Sequence, residues 1–122
     1  MPLTLPLLLV IDDDDLIAEM VRYALTPLLS TIRIHVSPDI DDALGKLSPT
    51  LIISDLRLTA TKGEATLIRL REVFPTQVIV PMSGVAPSEM DTWQQRYQLA
   101  PFLSKDHLLT GLLSVVEARM LG

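Results

Sequence analysis

The chain reads as an α/β domain: a five-stranded parallel sheet, doubly wound in the flavodoxin-like order 2-1-3-4-5, with helices on both faces. Three observations carry that reading. First, Leu7-Leu8-Leu9-Val10-Ile11, Leu51-Ile52-Ile53 and Val78-Ile79-Val80 are unbroken apolar runs, the pattern of strands buried on both faces. Second, segments with apolar residues at helical spacing separate these runs, and strict alternation calls for parallel strands joined by right-handed crossovers. Third, polar residues stand directly behind the runs: Asp12-Asp13-Asp14-Asp15, Ser54-Asp55, Ser83-Gly84 and Ser104-Lys105. Strand C-terminal ends are where open α/β sheets place their ligands.

The elements follow in order. After the first strand at 7–11, Leu16, Ile17, Met20, Val21, Ala24 and Leu25 recur at helical spacing from about Asp15, with Pro27 near the helix end. Thr31 to Val36 alternates and is β-branched, so it reads as the second strand. Ser37-Pro38 reads as a cap followed by proline at the first helical position. The helix it opens carries Ile40, Ala43, Leu44 and Leu47 and ends near Ser48-Pro49. The third strand, Leu51 to Ile53, stops at Ser54-Asp55, and a polar loop runs through Lys62-Gly63. Ala65, Leu67, Ile68, Leu70 and Val73 mark a helix ending before Pro75. The fourth strand leads to Ser83-Gly84, with Pro81 an awkward residue that predicts an early end or a bulge. Pro87-Ser88 opens a more polar helix with Trp93 and Tyr97, four apart and read as packing residues. Phe102-Leu103 is a short fifth strand, and the last helix runs from about Asp106 to Met120.

In the order 2-1-3-4-5 the first and third strands are neighbours, roughly 4.8 Å apart. Asp12, Asp13 and Asp55 then meet at one crevice, with Ser83 and Lys105 arriving from the next two strand ends. Like charges gathered there need water, a cation or a basic partner. Two or three carboxylates suit Mg²⁺, which keeps several waters and leaves a position for a phosphate oxygen. A carboxylate alone at its strand end, as Asp55 is, can act as a nucleophile toward a phosphoryl group. The metal and Lys105 would neutralise charge during transfer, and Ser83 would donate to a phosphoryl oxygen. Asp14 and Asp15 are read as acids suited to a helix N-terminus. His35 and His107 have no matching partners in the sequence and read as structural or surface residues.

Composition sets the bounds. At 122 residues the chain is expected to be one domain over 1–122, and 48% apolar residues suffice for one core. A net charge of −5 with no basic cluster argues against direct contact with nucleic acid or anionic lipid. The absence of cysteine excludes disulfides, thiolate metal sites and cysteine nucleophiles, and is compatible with the cytoplasm. The apolar start is far short of the roughly 20 residues of a membrane span and carries no basic region, so no signal peptide or membrane role is expected.

Taken together, Val10-Ile11-Asp12-Asp13-Asp14, Ile53-Ser54-Asp55-Leu56-Arg57-Leu58 with Gly63 eight residues after Asp55, Met82-Ser83-Gly84 and Phe102-Leu103-Ser104-Lys105 resemble the receiver domain of two-component response regulators. The resemblance covers about Leu7 to Leu121. It implies a phosphoacceptor, Asp55, that takes a phosphoryl group from a histidine kinase or phosphotransfer protein. It implies Mg²⁺ (or Mn²⁺) held at Asp12, Asp13 and Asp55, with Asp13 binding directly, Asp12 acting largely through water and the Arg57 backbone carbonyl completing the site. Ser83 would be the hydroxyl switch, Lys105 the phosphate-contacting lysine and Phe102 the aromatic switch. The implied output is a change in the surface of the fourth helix, fifth strand and fifth helix, read by an effector domain or protein, or by a second copy in a phosphorylation-dependent homodimer. Such a protein is a switch rather than an enzyme, although it assists its own phosphorylation and dephosphorylation. The domain would stand alone or be cut from a longer regulator or hybrid kinase.

The sequence departs from that pattern at Thr59 and Asp106, where proline is usual, and at Pro81. Without proline after Lys105 a cis bond there is not expected. Two other readings compete. Asp12 and Asp14 have the spacing of a haloacid-dehalogenase-type Mg²⁺ phosphohydrolase, although Leu16 replaces the expected Thr or Val and 122 residues leave little room for a cap. A degenerate receiver that acts only through protein contacts would not need the full set of acids with Ser83 and Lys105.

Overall fold

The computed structural model describes residues 5–43, 48–58 and 61–121. Five parallel strands form one sheet: β1 (Leu7–Ile11), β2 (Arg33–Ser37), β3 (Leu51–Asp55), β4 (Val78–Ser83) and β5 (Leu103–Ser104). Their order is β2-β1-β3-β4-β5, as the alternation of elements predicts. Between them run α1 (Asp15–Ala24), α2 (Ile40–Ala43), α3 (Glu64–Val73) and α4 (Met90–Tyr97), and α5 (Leu108–Val116) follows β5.

The sheet divides two cores, and the pleat explains why the strands are apolar throughout. Successive side chains on a strand point to opposite faces. Leu8 and Val10 of β1, Leu51 and Ile53 of β3 and Val80 and Met82 of β4 meet Ile17 and Val21 of α1 and Leu108, Leu112 and Val116 of α5. Leu9, Ile11, Ile52 and Ile79 meet the other core with Ile40, Leu67, Leu70 and Met90 of α2 to α4. All five β1 residues are buried. At roughly 1.5–3 kcal/mol per large apolar side chain, that strand alone contributes on the order of 10 kcal/mol against the entropy of ordering it.

Several boundaries differ from the sequence expectation for local reasons. β2 begins at Arg33 and reaches Ser37, so Ser37 is a strand residue and not a helix cap. The cap on α2 is Asp39, whose Oδ1 accepts from the Asp42 N–H at 2.8 Å. A side-chain oxygen three residues before its donor is capping geometry. Leu44 and Leu47, expected on this helix, lie outside the described residues, as does Thr59. β4 continues through Pro81 with unbroken register, Ser54 opposite Pro81 and Asp55 opposite Met82, so it neither ends early nor bulges. The Ile79 carbonyl accepts from Ala100, on the β5 side, while the Met82 carbonyl accepts from Leu56, on the β3 side. Alternation therefore turns the Pro81 nitrogen toward β5, whose ladder covers only Met82 and Ser83. The missing donor falls where little pairing exists to lose.

The chain after β5 forms a 3-10 turn (Lys105–His107), then α5, then a π-helical turn (Glu117–Leu121), instead of one uniform helix. Ser104 caps it by accepting from the Asp106 N–H at 3.3 Å. No cis peptide bond occurs among the described residues, and no helix among them is long and apolar enough to cross a membrane.

Candidate functional site

The strand register builds the site. Val10 lies opposite Ile53 and Ile11 opposite Ser54. One further step places Asp12 beside Asp55, both on the pleat side of Val10 and Ile53, toward α1 and α5. Lys105 follows Leu103 by two, and Leu103 packs in that same core, so the lysine rises on the same side. The parity of three strands thus delivers two acids and an ammonium to one place.

Side-chain geometry completes this convergence. Lys105 Nζ stands 2.8 Å from Asp12 Oδ2 and 3.0 Å from Asp55 Oδ2. Asp12 and Asp55 are buried, whereas Asp13 faces solvent. Carboxylate oxygens of Asp12, Asp13 and Asp55 lie within 4.8 Å of one another. The Asp14 N–H donates to Asp12 Oδ1 at 2.9 Å, and the Arg57 N–H donates to Asp55 Oδ1 at 3.0 Å. Backbone turns after each strand therefore hold one oxygen of each acid and leave the other to the cation. Asp14 itself caps α1, its Oδ1 accepting from the Leu16 N–H at 3.0 Å, and Asp15 opens the helix, as expected for acids at a helix start.

The electrostatics are those of an acidic site held by one lysine. Burial raises the Asp12 carboxyl above its ordinary value, and the bonds from Lys105 and the Asp14 N–H recover only part of that shift. Burial by itself would lower the Lys105 ammonium, but Asp12 and Asp55 outweigh it and raise the net value. Asp12 Oδ2 is buried, with no neutral hydrogen-bond donor reaching it among the described residues. A hard divalent cation is the species that such a set of oxygens accommodates, and the three acids fit one.

The loop after β3 borders the site. The Gly63 N–H donates to the Leu56 carbonyl at 2.7 Å, and Arg57 pairs with Lys62 in an antiparallel bridge. Gly63 has φ 59° and ψ −130°, a conformation open to glycine and costly for any residue with a Cβ. Behind this loop lies a cavity of about 460 Å³ lined by Arg57, Lys62, Gly63, Ser83, Val85 and Trp93, among others. Ser83 is buried at the end of β4 and faces this cavity. No hydrogen bond joins it to Asp55 among the described residues. Phe102 is half-buried and packs on the α2-to-α4 core, on the α4 side of the sheet. His35, half-exposed, lies 3.7 Å from Asp42.

One group of residues near the site gave no local sequence signal. Glu64, the first residue of α3, accepts a hydrogen bond from the Tyr97 hydroxyl at 2.6 Å and is ion-paired with Arg96. Arg71 donates to the Tyr97, Gln77, Gln98 and Phe74 carbonyls at 2.8–3.0 Å. The partners are far apart in sequence, so only the expected packing role of Tyr97 pointed toward this contact; Tyr97 and Trp93 do pack on the α2-to-α4 core.

No protein-family model and no curated protein sequence matches the chain. Solved structures do match. The signal receiver domain of an HD domain-containing protein from Pseudomonas fluorescens shares 20% identity at a TM-score of 0.80, over 99% of this chain and 90% of that one. A CheY-like response regulator receiver domain protein from Methanospirillum hungatei shares 16% identity at a TM-score of 0.80, over 96% and 94%. The beryllofluoride-activated receiver domain of DrrB shares 18% at a TM-score of 0.78, over 98% and 100%. Against the longer DrrB chain from Thermotoga maritima, the match spans 52% of that chain.

Proposed function

We propose, from the receiver-domain fold that the chain shares with these structures, that it is a phosphorylation-controlled switch of two-component signalling with Asp55 as acceptor. One observation carries the reading: Lys105 spans Asp12 and Asp55 while Asp13 completes a trio of carboxylates. A site of this kind neutralises a phosphoryl group arriving beside an acid.

In the proposed reaction a carboxylate oxygen of Asp55 attacks the phosphorus of a phosphohistidine on a kinase or phosphotransfer protein. The P–O bond forms as the P–N bond breaks, and the imidazole nitrogen keeps the electron pair. Mg²⁺ or Mn²⁺, held by Asp12, Asp13, Asp55 and the Arg57 carbonyl, would neutralise charge on the phosphoryl oxygens. Lys105 then exchanges a carboxylate partner for a phosphoryl oxygen at little cost, since it already lies against Asp55. Ser83 makes no hydrogen bond to Asp55 among the described residues and would move to donate to that oxygen once the phosphoryl group is in place. The movement is what makes the hydroxyl a switch, with Phe102 and the α4-β5-α5 surface following it. Output would pass to an effector domain or protein, or to a second copy of the chain. Contacts formed only in the phosphorylated state bias that change.

The phosphohydrolase reading is disfavoured by Asp14. Its carboxylate is engaged as the cap of α1 and is not free to serve as the second catalytic acid. Incubation with acetyl phosphate and Mg²⁺, followed by intact mass measurement, tests the choice. The wild-type chain should gain one phosphoryl group and Asp55→Asn none. Labelling that persists in Asp55→Asn, or moves to Asp12 with steady turnover, sinks the proposal.

A further inference from the structure

The switch reading does not account for Glu64, and its position is informative. It directly follows Gly63, the residue that closes the loop after Asp55 through the Leu56 carbonyl. Its carboxylate receives Arg96 and Tyr97 from the last turn of α4. That turn is fixed by Arg71, which holds the Tyr97 and Gln98 carbonyls together with the Phe74 and Gln77 carbonyls at the α3–β4 connection. The other end of α4 is differently held. Its leading loop carries the widely exposed Val85, and the cavity of about 460 Å³ beneath it separates Ser83 from Arg57 and Lys62. Trp93 closes that cavity against Gly63: a Cβ placed there would stand 3.6 Å from its ring. The last turn of α4 is therefore anchored, the loop leading into the helix borders the cavity even though Met90 at the helix start is buried, and Glu64 ties the acceptor loop to the anchored end.

We propose that Glu64 with Arg96 and Tyr97 forms a latch that holds α4 in its resting position and opposes activation at Asp55. The latch coexists with Lys105 on Asp55, so it belongs to the unmodified state. A contact made in one state and strained in the other shifts the population toward the first. Drawing Ser83 and the acceptor loop together would pull on Gly63 and the first turn of α3, and so move Glu64 relative to the α4 turn that Arg71, two turns further along α3, holds. The latch is thus weakened by the event that it restrains. Glu64 touches no reacting group; it is a positioning residue. The inference rests on the proposed function, and its test separates the two.

Trp93 is the only tryptophan, so its emission reports the contact between α4 and the loop. Beryllofluoride is titrated with Mg²⁺ present into the wild-type chain and into Glu64→Ala, Arg96→Gln and Tyr97→Phe. The wild type is expected to bind beryllofluoride and change its Trp93 emission. Glu64→Ala is expected to bind roughly 5-fold or more tightly than wild type, the scale of an ordinary coupling between sites. The other two should shift affinity the same way by less. A merely structural role would weaken binding or leave it unchanged, and either result in a folded Glu64→Ala overturns the latch. Arg96 is exposed, so Arg96→Gln, read by the same criterion, replaces Glu64→Ala if that variant does not fold. Failure of the wild type to bind beryllofluoride overturns the switch reading instead, and the latch with it.

Discussion

Lys105 carries an unusual share of the site, because one ammonium serves two buried carboxylates. Lys105→Met would leave Asp12 and Asp55 facing each other without a counter-charge. Removing one partner from a buried ionic group is costly. The lysine is partly exposed, so the expected loss in metal-free protein is about 1–3 kcal/mol, measured by urea unfolding. Two pH signatures follow. The Lys105 value is raised above its ordinary 10.5. Its stabilising contribution is complete below 10.5 and disappears as pH climbs through the raised value, an alkaline loss that Lys105→Met should lack. Asp12 works in the opposite sense. Burial raises its value above 3.8, so the native state holds that proton more tightly than the unfolded chain does. The Asp12 contribution to metal-free stability should therefore fall as pH rises from 3.8 through the raised value, and the difference between wild type and Asp12→Asn should show that fall. A steeper fall in Asp12→Asn would contradict the burial argument.

The helices depend on a few polar anchors, and α4 shows this most clearly. Arg71 supplies donors to four carbonyls at the ends of α3 and α4. Arg71→Met should cost about 2 kcal/mol, because the carbonyls lose a charged donor in a half-buried setting; the loss is read from the unfolding midpoint. Gln98 ends α4 at φ 54°, a left-handed conformation that glycine adopts without a Cβ penalty. Gln98→Gly should stabilise the fold by about 0.5 kcal/mol, since Arg71 keeps its bond to that carbonyl and only the strain is removed. These features also mark where the sequence became opaque. The strands were legible because burial on two faces leaves an unbroken apolar run, and the meeting of Asp12, Asp13, Asp55 and Lys105 was legible because sheet order places the strands' polar ends together. The cap on α2 was misplaced at Ser37 because Ser37-Pro38 and Asp39 offer equally good local chemistry; the choice was made by β2, which extends to pair Ser37 with Ile11. Pro81 looked disruptive because a proline's cost depends on which neighbour its nitrogen faces. The contacts of Glu64 and Arg71 with α4 carry no period at all, since they join residues that only tertiary packing brings near.

At the scale of the whole molecule, the acids that would hold a cation also crowd like charge together in the metal-free fold. Net charge is −5, and three of its carboxylates are held within 4.8 Å with only Lys105 between two of them. A cation bound to the folded state and not to the unfolded chain stabilises by linkage, about 2.7 kcal/mol at a free concentration about 100 times the dissociation constant. Mg²⁺ should therefore raise the urea midpoint in a concentration-dependent way. The slope of free energy against urea should stay constant, because the surface exposed on unfolding is unchanged. Asp13→Asn gives the sharpest control. Asp13 is exposed and its carboxylate lies within 4.8 Å of those of Asp12 and Asp55, so the substitution should largely abolish the response to Mg²⁺, read against the variant's own metal-free stability. Asp12→Asn should also lose that response, but from a different starting point, since removing a buried charge relieves its desolvation before any metal is added. Equal Mg²⁺ responses in wild type, Asp12→Asn and Asp13→Asn would mean that the cation acts elsewhere on the acidic surface. The crevice would then hold its carboxylates through Lys105 alone.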